Sequence, residues 1–203
     1  WEMAVINTNI AAIKAANASN AAGKMAGIAM ERLSTGKRIN GAKDDAAGLA
    51  ISTTMTSQIK GMAQGVRNAN DGISLAQTAE GALSKVGDAL QRMRELAVQA
   101  RNSTNSSSDK DSLNKEFVEL QAEIARVLGG TTFNGKHILG ADATTLTFQI
   151  GANTTADDVI NVSTSDMTQN TAITTVTTSS AAIDQNATAG AIGNVIDSLD
   201  AAI

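Results

Sequence analysis

At 203 residues the chain has the length of one or two ordinary domains, yet aromatic residues are 2 % of it, with three Phe, one Trp and no Tyr, which favours thin aliphatic helix-to-helix seams over bulky three-dimensional packing. Absence of Cys excludes disulfides and thiolate metal sites, and absence of Pro removes the strongest helix breaker. A net charge of −4 with both signs interspersed argues against nucleic acid or an anionic membrane surface as the main partner.

Trp1 and Glu2 precede a natural-looking start at Met3, and no signal peptide pattern or membrane-length apolar run follows. From Val5 to Leu33 the apolar residues Ile6, Ile10, Ile13, Ala21, Met25, Ile28 and Leu33 recur mostly at three- or four-residue spacing on an Ala-rich background. The pattern predicts an amphipathic helix with a stripe too slim to fold alone. Gly36, Asn40-Gly41 and the basic trio Lys37, Arg38 and Lys43 then break the period and predict a linker. Residues 1–43 form the first predicted segment. Asp44 and Asp45 sit where acids favour a first helical turn.

A second predicted segment, residues 44–132, holds helices at about 44–100 and 109–128. Ile51, Met55, Ile59, Met62, Val66, Ala69, Ile73 and Ala76, then, after a break at Glu80, Leu83, Val86, Leu90, Met93 and Ala97 alternate steps of three and four. A period near 3.5 is that of a left-handed coiled-coil seam. Gly61, Gly65, Gly72, Gly81 and Gly87 each cost about 0.5–1 kcal/mol relative to Ala, so close packing against neighbours must hold this helix. Ser108 with Asp111 predicts a capped restart, and Leu113, Phe117, Leu120, Ile124 and Val127 mark the next helix, which Gly129 and Gly130 stop.

After Thr132 the period falls to two. Leu146, Phe148 and Ile150, then Ile160 and Val162, predict strands, and Asn134-Gly135 predicts a tight hairpin turn. The Thr-, Ser- and Ala-rich run from Ser165 to Gly190 predicts a surface loop of variable shape, so residues 133–186 form a hairpin and loop region. Residues 187–203 return to helix period with Val195, Ile196, Leu199 and Ile203. At about 1.5 Å per residue the seam from Ile51 to Ala97 spans about 70 Å and the helix from Leu113 to Leu128 about 24 Å. Much of the seam therefore lacks a partner within this sequence and marks an interaction surface.

The inventory for enzymatic chemistry is thin, and neither cofactor nor metal is expected. His137 is the single His and sits beside a predicted turn, which reads as an ordinary surface or strand residue. Asp44-Asp45 and Asp157-Asp158 are sequence neighbours and point different ways, so a helix start and a loop outweigh paired acid and base. The stretch STGKR lacks the spacing and preceding strand of a phosphate loop. The N-x-[ST] triplets at Asn102 and Asn153 are expected by chance in so Asn- and Ser-rich a chain, and the methionines read as core filler.

Five blocks, MAVINTNIAA from Met3, ERLSTGKRINGAKDDAAGLAI from Glu31, RNANDGISLAQTAEGAL from Arg67, LQRMRELAVQARNSTNS from Leu90 and FNGKHIL from Phe133, occur in the order and spacing of bacterial flagellins. Over Met3 to about Ile150 the chain resembles that family. The resemblance implies a mainly α fold: a long antiparallel coiled-coil-like helical rod with a small β-hairpin region. It implies a filament-core segment carrying Ile6, Ile10, Ile13, Ile28 and Leu33, helical on assembly and disordered in the free subunit. Its rod seam would carry Ile51, Met55, Ile59, Met62, Val66, Ile73, Leu83, Val86, Leu90 and Met93. Full flagellins also carry a large outer region and a C-terminal pair of helices, of which AIGNVIDSLDAAI resembles only the beginning.

By the same resemblance the chain is a non-enzymatic filament subunit for motility, extracellular on the bacterial flagellum. Its partners would be other flagellin subunits, the flagellar type III export apparatus, and cap and junction proteins, with no nucleic acid and no membrane insertion. Helix geometry puts Leu90, Met93 and Ala97 in the seam and Arg92, Glu95, Leu96 and Gln99 on other faces. Arg92, Leu96 and Gln99, with Glu116, match the flagellin patch bound by the host flagellin-sensing Toll-like receptor. Two rivals stay open: a surface adhesin or polysaccharide-binding relative that forms no filament, and a hook-filament junction protein.

Overall fold

A computed structural model describes residues 9–203. They are mainly α, with α1 (Ile10–Thr35), α2 (Ala46–Ala100), α3 (Ser107–Gly130), a short α4 (Thr171–Thr177) and α5 (Ala189–Ala202). Between α3 and α4 lie β1 (Thr132–Phe133), β2 (Lys136–His137), β3 (Thr145–Gln149) and β4 (Val159–Ser163). Two compact units divide the chain between Ile59 and Lys60. Expectations for Ile6 lie outside the described residues.

In the first unit, α1 begins at Asn9, whose side-chain oxygen accepts from the Ala12 N–H at 3.1 Å, and ends at Gly36 in the left-handed region with φ 66°. Among its described residues α1 buries none, and Ile10, Ile13, Met25, Ile28 and Leu33 all stand exposed. Neither acid lies in the first turn of α2, where the sequence predicted them; both stand just ahead of it, and only Asp45 takes a helix-start role, while Asp44 ties the preceding loop. The Asp45 Oδ1 accepts from the Gly48 N–H at 2.8 Å and the Asp44 Oδ2 accepts from the Asn40 N–H at 3.0 Å.

The second unit holds the core. Leu75, Ala82, Val86, Leu90, Met93, Leu96, Ala97 and Ala100 of α2 pack with Phe117, Ile124 and Leu128 of α3 and with Ile192, Val195, Ile196 and Leu199 of α5. Each fully buried Leu or Ile contributes about 1.5–3 kcal/mol relative to exposure. Both α3 and α5 run antiparallel to α2. Arg92 meets Glu116 on α3, and Arg94 meets Asp200 while Gly193 lies near Arg101 on α5.

Three expectations are corrected here. The buried seam of α2 follows Leu75, Ala79, Ala82, Val86, Leu90, Met93 and Ala97 without a break at Glu80, and Leu83 is 39 % exposed. Small Ala residues define that stripe near Glu80, and hydropathy gave larger Ile73 and Leu83 the weight. The cap of α3 is Ser106, not Ser108: its hydroxyl oxygen accepts from the Asp109 N–H at 3.2 Å, and the Asp109 carboxylate accepts from the Ser106 N–H at 3.0 Å. That reciprocal pair lowers the Asp109 pKa, chiefly through the Ser106 hydroxyl.

The third correction concerns the run predicted as a variable surface loop. It forms α4 and buries Ile173, Val176, Ala181 and Ile183 in the core. Its backbone is held by side chains of α3: the Gln121 Nε2 donates to the Val176, Thr178 and Ala181 carbonyls at 2.8, 3.2 and 3.0 Å. The Ile183 and Gln185 N–H groups donate to Asn114 and Asp111 side chains at 2.9 and 3.0 Å. Long-range hydrogen bonds of this kind leave no periodic trace in the sequence.

The strands follow the period-two reading. Asn134 and Gly135, with φ 49° and 79°, turn β1 back onto β2 in antiparallel register Thr132 to His137 and Phe133 to Lys136. Positive φ at both positions explains the Asn-Gly pair. In the second hairpin Leu146 pairs with Val162 and Phe148 with Ile160.

Candidate functional site

In the second unit α2 presents two different faces between Gly61 and Leu83. One face receives the β3–β4 hairpin through glycines. A methyl group on Gly65 would run into the Ile150 carbonyl oxygen, and one on Gly61 would lie 2.7 Å from the Ala152 Cβ. The Asn68 Nδ2 donates to the Gln149 carbonyl at 2.7 Å and completes the docking. Gly65 is needed for close backbone approach. Gly81 and Gly87, by contrast, have open space where a Cβ would stand, so within this unit close approach of a neighbour is seen at Gly61, Gly65 and Gly72.

The other face is uncovered. Met62, Val66 and Ile73 are 52 %, 62 % and 55 % exposed. Beside them Ala69, Gly72, Ile73 and Ala76 form one wall of a groove of about 230 Å³ whose other wall is Phe148, Ile150, Ile160 and Val162. In the first unit Ile51, Met55 and Ile59 are 61 %, 56 % and 59 % exposed, and the α1 residues Ile10, Ile13, Met25, Ile28 and Leu33 are exposed as well. Of the seam expected from the sequence, Val86, Leu90 and Met93 are buried, whereas Ile51, Met55, Ile59, Met62, Val66, Ile73 and Leu83 stand in solvent. Within each unit such exposed apolar residues make a candidate interaction surface.

A polar cluster lies where α2 and α3 run side by side. The Arg92 Nε donates to the Glu116 carboxylate and its Nη1 to the Glu95 carboxylate, both at 2.8 Å. Those hydrogen bonds, Glu116 first, raise the guanidinium pKa above its ordinary value. Gln99 is exposed, and its carbonyl accepts from the Asn105 Nδ2 at 2.5 Å. The structure brings Arg92 and Glu116 together. It corrects the placement of Leu96, which is fully buried beneath the helix pairing and does not share an open face with Arg92. The buried band of α2 is wider than a seam of one residue per step, because α3 and α5 both pack on it.

His137 is an exposed strand residue whose N–H donates to Asp142 at 2.9 Å. Among the described residues no group of three or more His, Cys, Asp or Glu could hold a metal, and no helix is long and apolar enough to cross a membrane. The sequence reading missed Leu75, Gln121 and the buried part of residues 171–187. Only the Leu75, Ala82 and Val86 spacing could have signalled the first.

The chain's sequence matches the family described as the bacterial flagellin N-terminal helical region over residues 6–144. It is 56 % identical to a flagellin of Salmonella rubislaw over 149 residues, covering 73 % of this chain and 30 % of that protein. It is 52 % identical to a flagellin of Xenorhabdus nematophila over 149 residues, with coverage of 73 % and 48 %. Its fold is similar to the crystal structure of Bacillus cereus flagellin, with a TM-score of 0.55 and 33 % identity over 67 % of this chain and 74 % of that one. The chain therefore spans about a third to a half of the length of these curated relatives.

Proposed function

The chain belongs to the bacterial flagellin family, and we propose that it serves as a non-enzymatic subunit of the extracellular flagellar filament, packing side by side with sister subunits for motility. The observation that carries this reading is the exposure of aliphatic stripes within each unit, with no residue of α1 buried and Met62, Val66 and Ile73 more than half exposed. Their burial between subunits supplies the driving force, at about 25 cal/mol per Å² of apolar surface removed from water. Packing of the exposed apolar residues of α1, already helical over Ile10–Thr35, onto neighbouring subunits is part of the proposal, as are export through the flagellar type III apparatus and handling by cap and junction proteins.

Sedimentation and negative-stain microscopy of the chain, alone and mixed with full-length flagellin, test it. Incorporation into filaments is the expected outcome. A chain that stays monomeric and never co-sediments with filaments overturns the subunit reading. Binding of a polysaccharide by such a monomer would replace it with the adhesin.

A second reading is host recognition. The exposed Arg92 and Gln99, with Glu116 held at 2.8 Å from Arg92, support docking of the flagellin-sensing Toll-like receptor on this face of the monomer. Leu96 supports the face from beneath and does not touch the receptor. Arg92→Ala should then weaken receptor binding by about tenfold or more, as truncation of an interface Arg does. Unchanged affinity of Arg92→Ala refutes this assignment and leaves the filament reading standing.

A further inference from the structure

Thioethers stand in the exposed apolar stripes of both units. Met55 is 56 % exposed, with Ile51 and Ile59 four residues to either side on the same helical face; Met62 is 52 % exposed, one turn before Val66. Met93, on the buried stripe of α2, has no exposure at all. Among aliphatic side chains only the thioether is oxidised by a mild two-electron oxidant, and susceptibility follows access to solvent. Met25 and Met30 of α1, at 66 % and 72 %, are accessible too.

We propose that Met55 and Met62 are peroxide-sensitive modification sites whose conversion to sulfoxide turns the stripes of α2 from apolar to polar and blocks the packing of subunits on them. The blocking step rests on the filament reading given above. In the reaction a sulfur lone pair attacks one oxygen of hydrogen peroxide, the S–O bond forms as the O–O bond breaks, and sulfur gives up two electrons. The departing hydroxide takes the proton from the transferred oxygen and leaves as water. The product places a strongly hydrogen-bonding S=O dipole where an assembled partner would leave it dry, and an unsatisfied polar group in such a place opposes association. On the buried stripe of the second unit Met93 is shielded, and Met167, partly buried against the core, is common to the chain and to the Leu variant compared below, so its oxidation cancels between them.

The test treats the full chain with hydrogen peroxide and follows each methionine by peptide mass. Met55 and Met62 should gain one oxygen about tenfold or more faster than Met93, and the difference should vanish in denaturant. Oxidation of Met93 at the same rate in the folded chain overturns the site assignment. Treated chain, far-ultraviolet circular dichroism unchanged, is then mixed with full-length flagellin. It should fail to co-sediment with filaments, whereas treated Met55→Leu/Met62→Leu should still join them, its Met25 and Met30 oxidised alike. Equal loss in the Leu variant shows that the switch does not lie on α2 and refutes the proposal. If untreated chain does not join filaments, the filament reading and the proposed block fall together, while the oxidation pattern still decides the sites.

Discussion

Replacing Gln121 by Leu should release residues 171–187 from α3 while leaving the helix pair intact. Gln121 is 6 % exposed, and its single NH₂ group donates to three carbonyls, two of them buried. Two hydrogens serve three acceptors, so two hydrogen bonds' worth of interaction is lost. Each buried carbonyl left without a partner costs about 1–3 kcal/mol, giving about 2–6 kcal/mol in total. The Thr178 carbonyl is only part-buried and also accepts from the Ala181 N–H at 3.0 Å, so it adds nothing to that sum, and about 2–6 kcal/mol is the expected loss. Leu keeps nearly the same volume and adds no cavity, so the change reports hydrogen bonding alone.

Hydrogen exchange with mass readout is the right assay, because the chain has two units and a single global midpoint would mix them. Amides of Ile173 to Ile183 should exchange about 30-fold or more faster in Gln121→Leu, with α2 amides near Leu90 and Met93 unaffected. Unchanged protection across Ile173 to Ile183 refutes the view that Gln121 orders this segment. Gln121→Glu should do worse at neutral pH, since a carboxylate would face three carbonyl oxygens.

Gly65→Ala should destabilise the β3–β4 hairpin by about 1–3 kcal/mol, because its methyl meets backbone, whereas Gly81→Ala, with open space, should stabilise α2 by about 0.5–1 kcal/mol; thermal denaturation and hairpin amide exchange read both. Ser106→Ala should cost about 1 kcal/mol through loss of the reciprocal cap and speed exchange in the first turn of α3. Hydrogen bonds from Arg94 hold the Asp200 carboxyl below its ordinary pKa, so the tie between α2 and α5 contributes fully above the unfolded value of about 4 and is lost as pH falls through the lower folded value. Acid titration of Asp200→Asn should show a shallower loss of α5 stability below about pH 4, and identical acid limbs would refute the role of this pair.

Several features were legible because their causes are local. Helical period, Asp45 ahead of α2, the Asn134-Gly135 turn and the alternation of β3 and β4 each depend on residues within one or two turns of one another. The five family blocks likewise pointed to the flagellin family, which the match over residues 6–144 bears out. Tertiary structure alone decided which of two faces of α2 is covered. The Leu75 to Ala97 stripe is buried because α3 and α5 lie on it, while the more hydrophobic Met62 to Ile73 stripe stays open. It also buried Leu96, and it turned a Thr-rich run into part of the core through Gln121, Asn114 and Asp111. A side chain's burial is set by what another segment brings within contact distance, and such pairings across 50 or more residues are invisible to a pattern read along the chain.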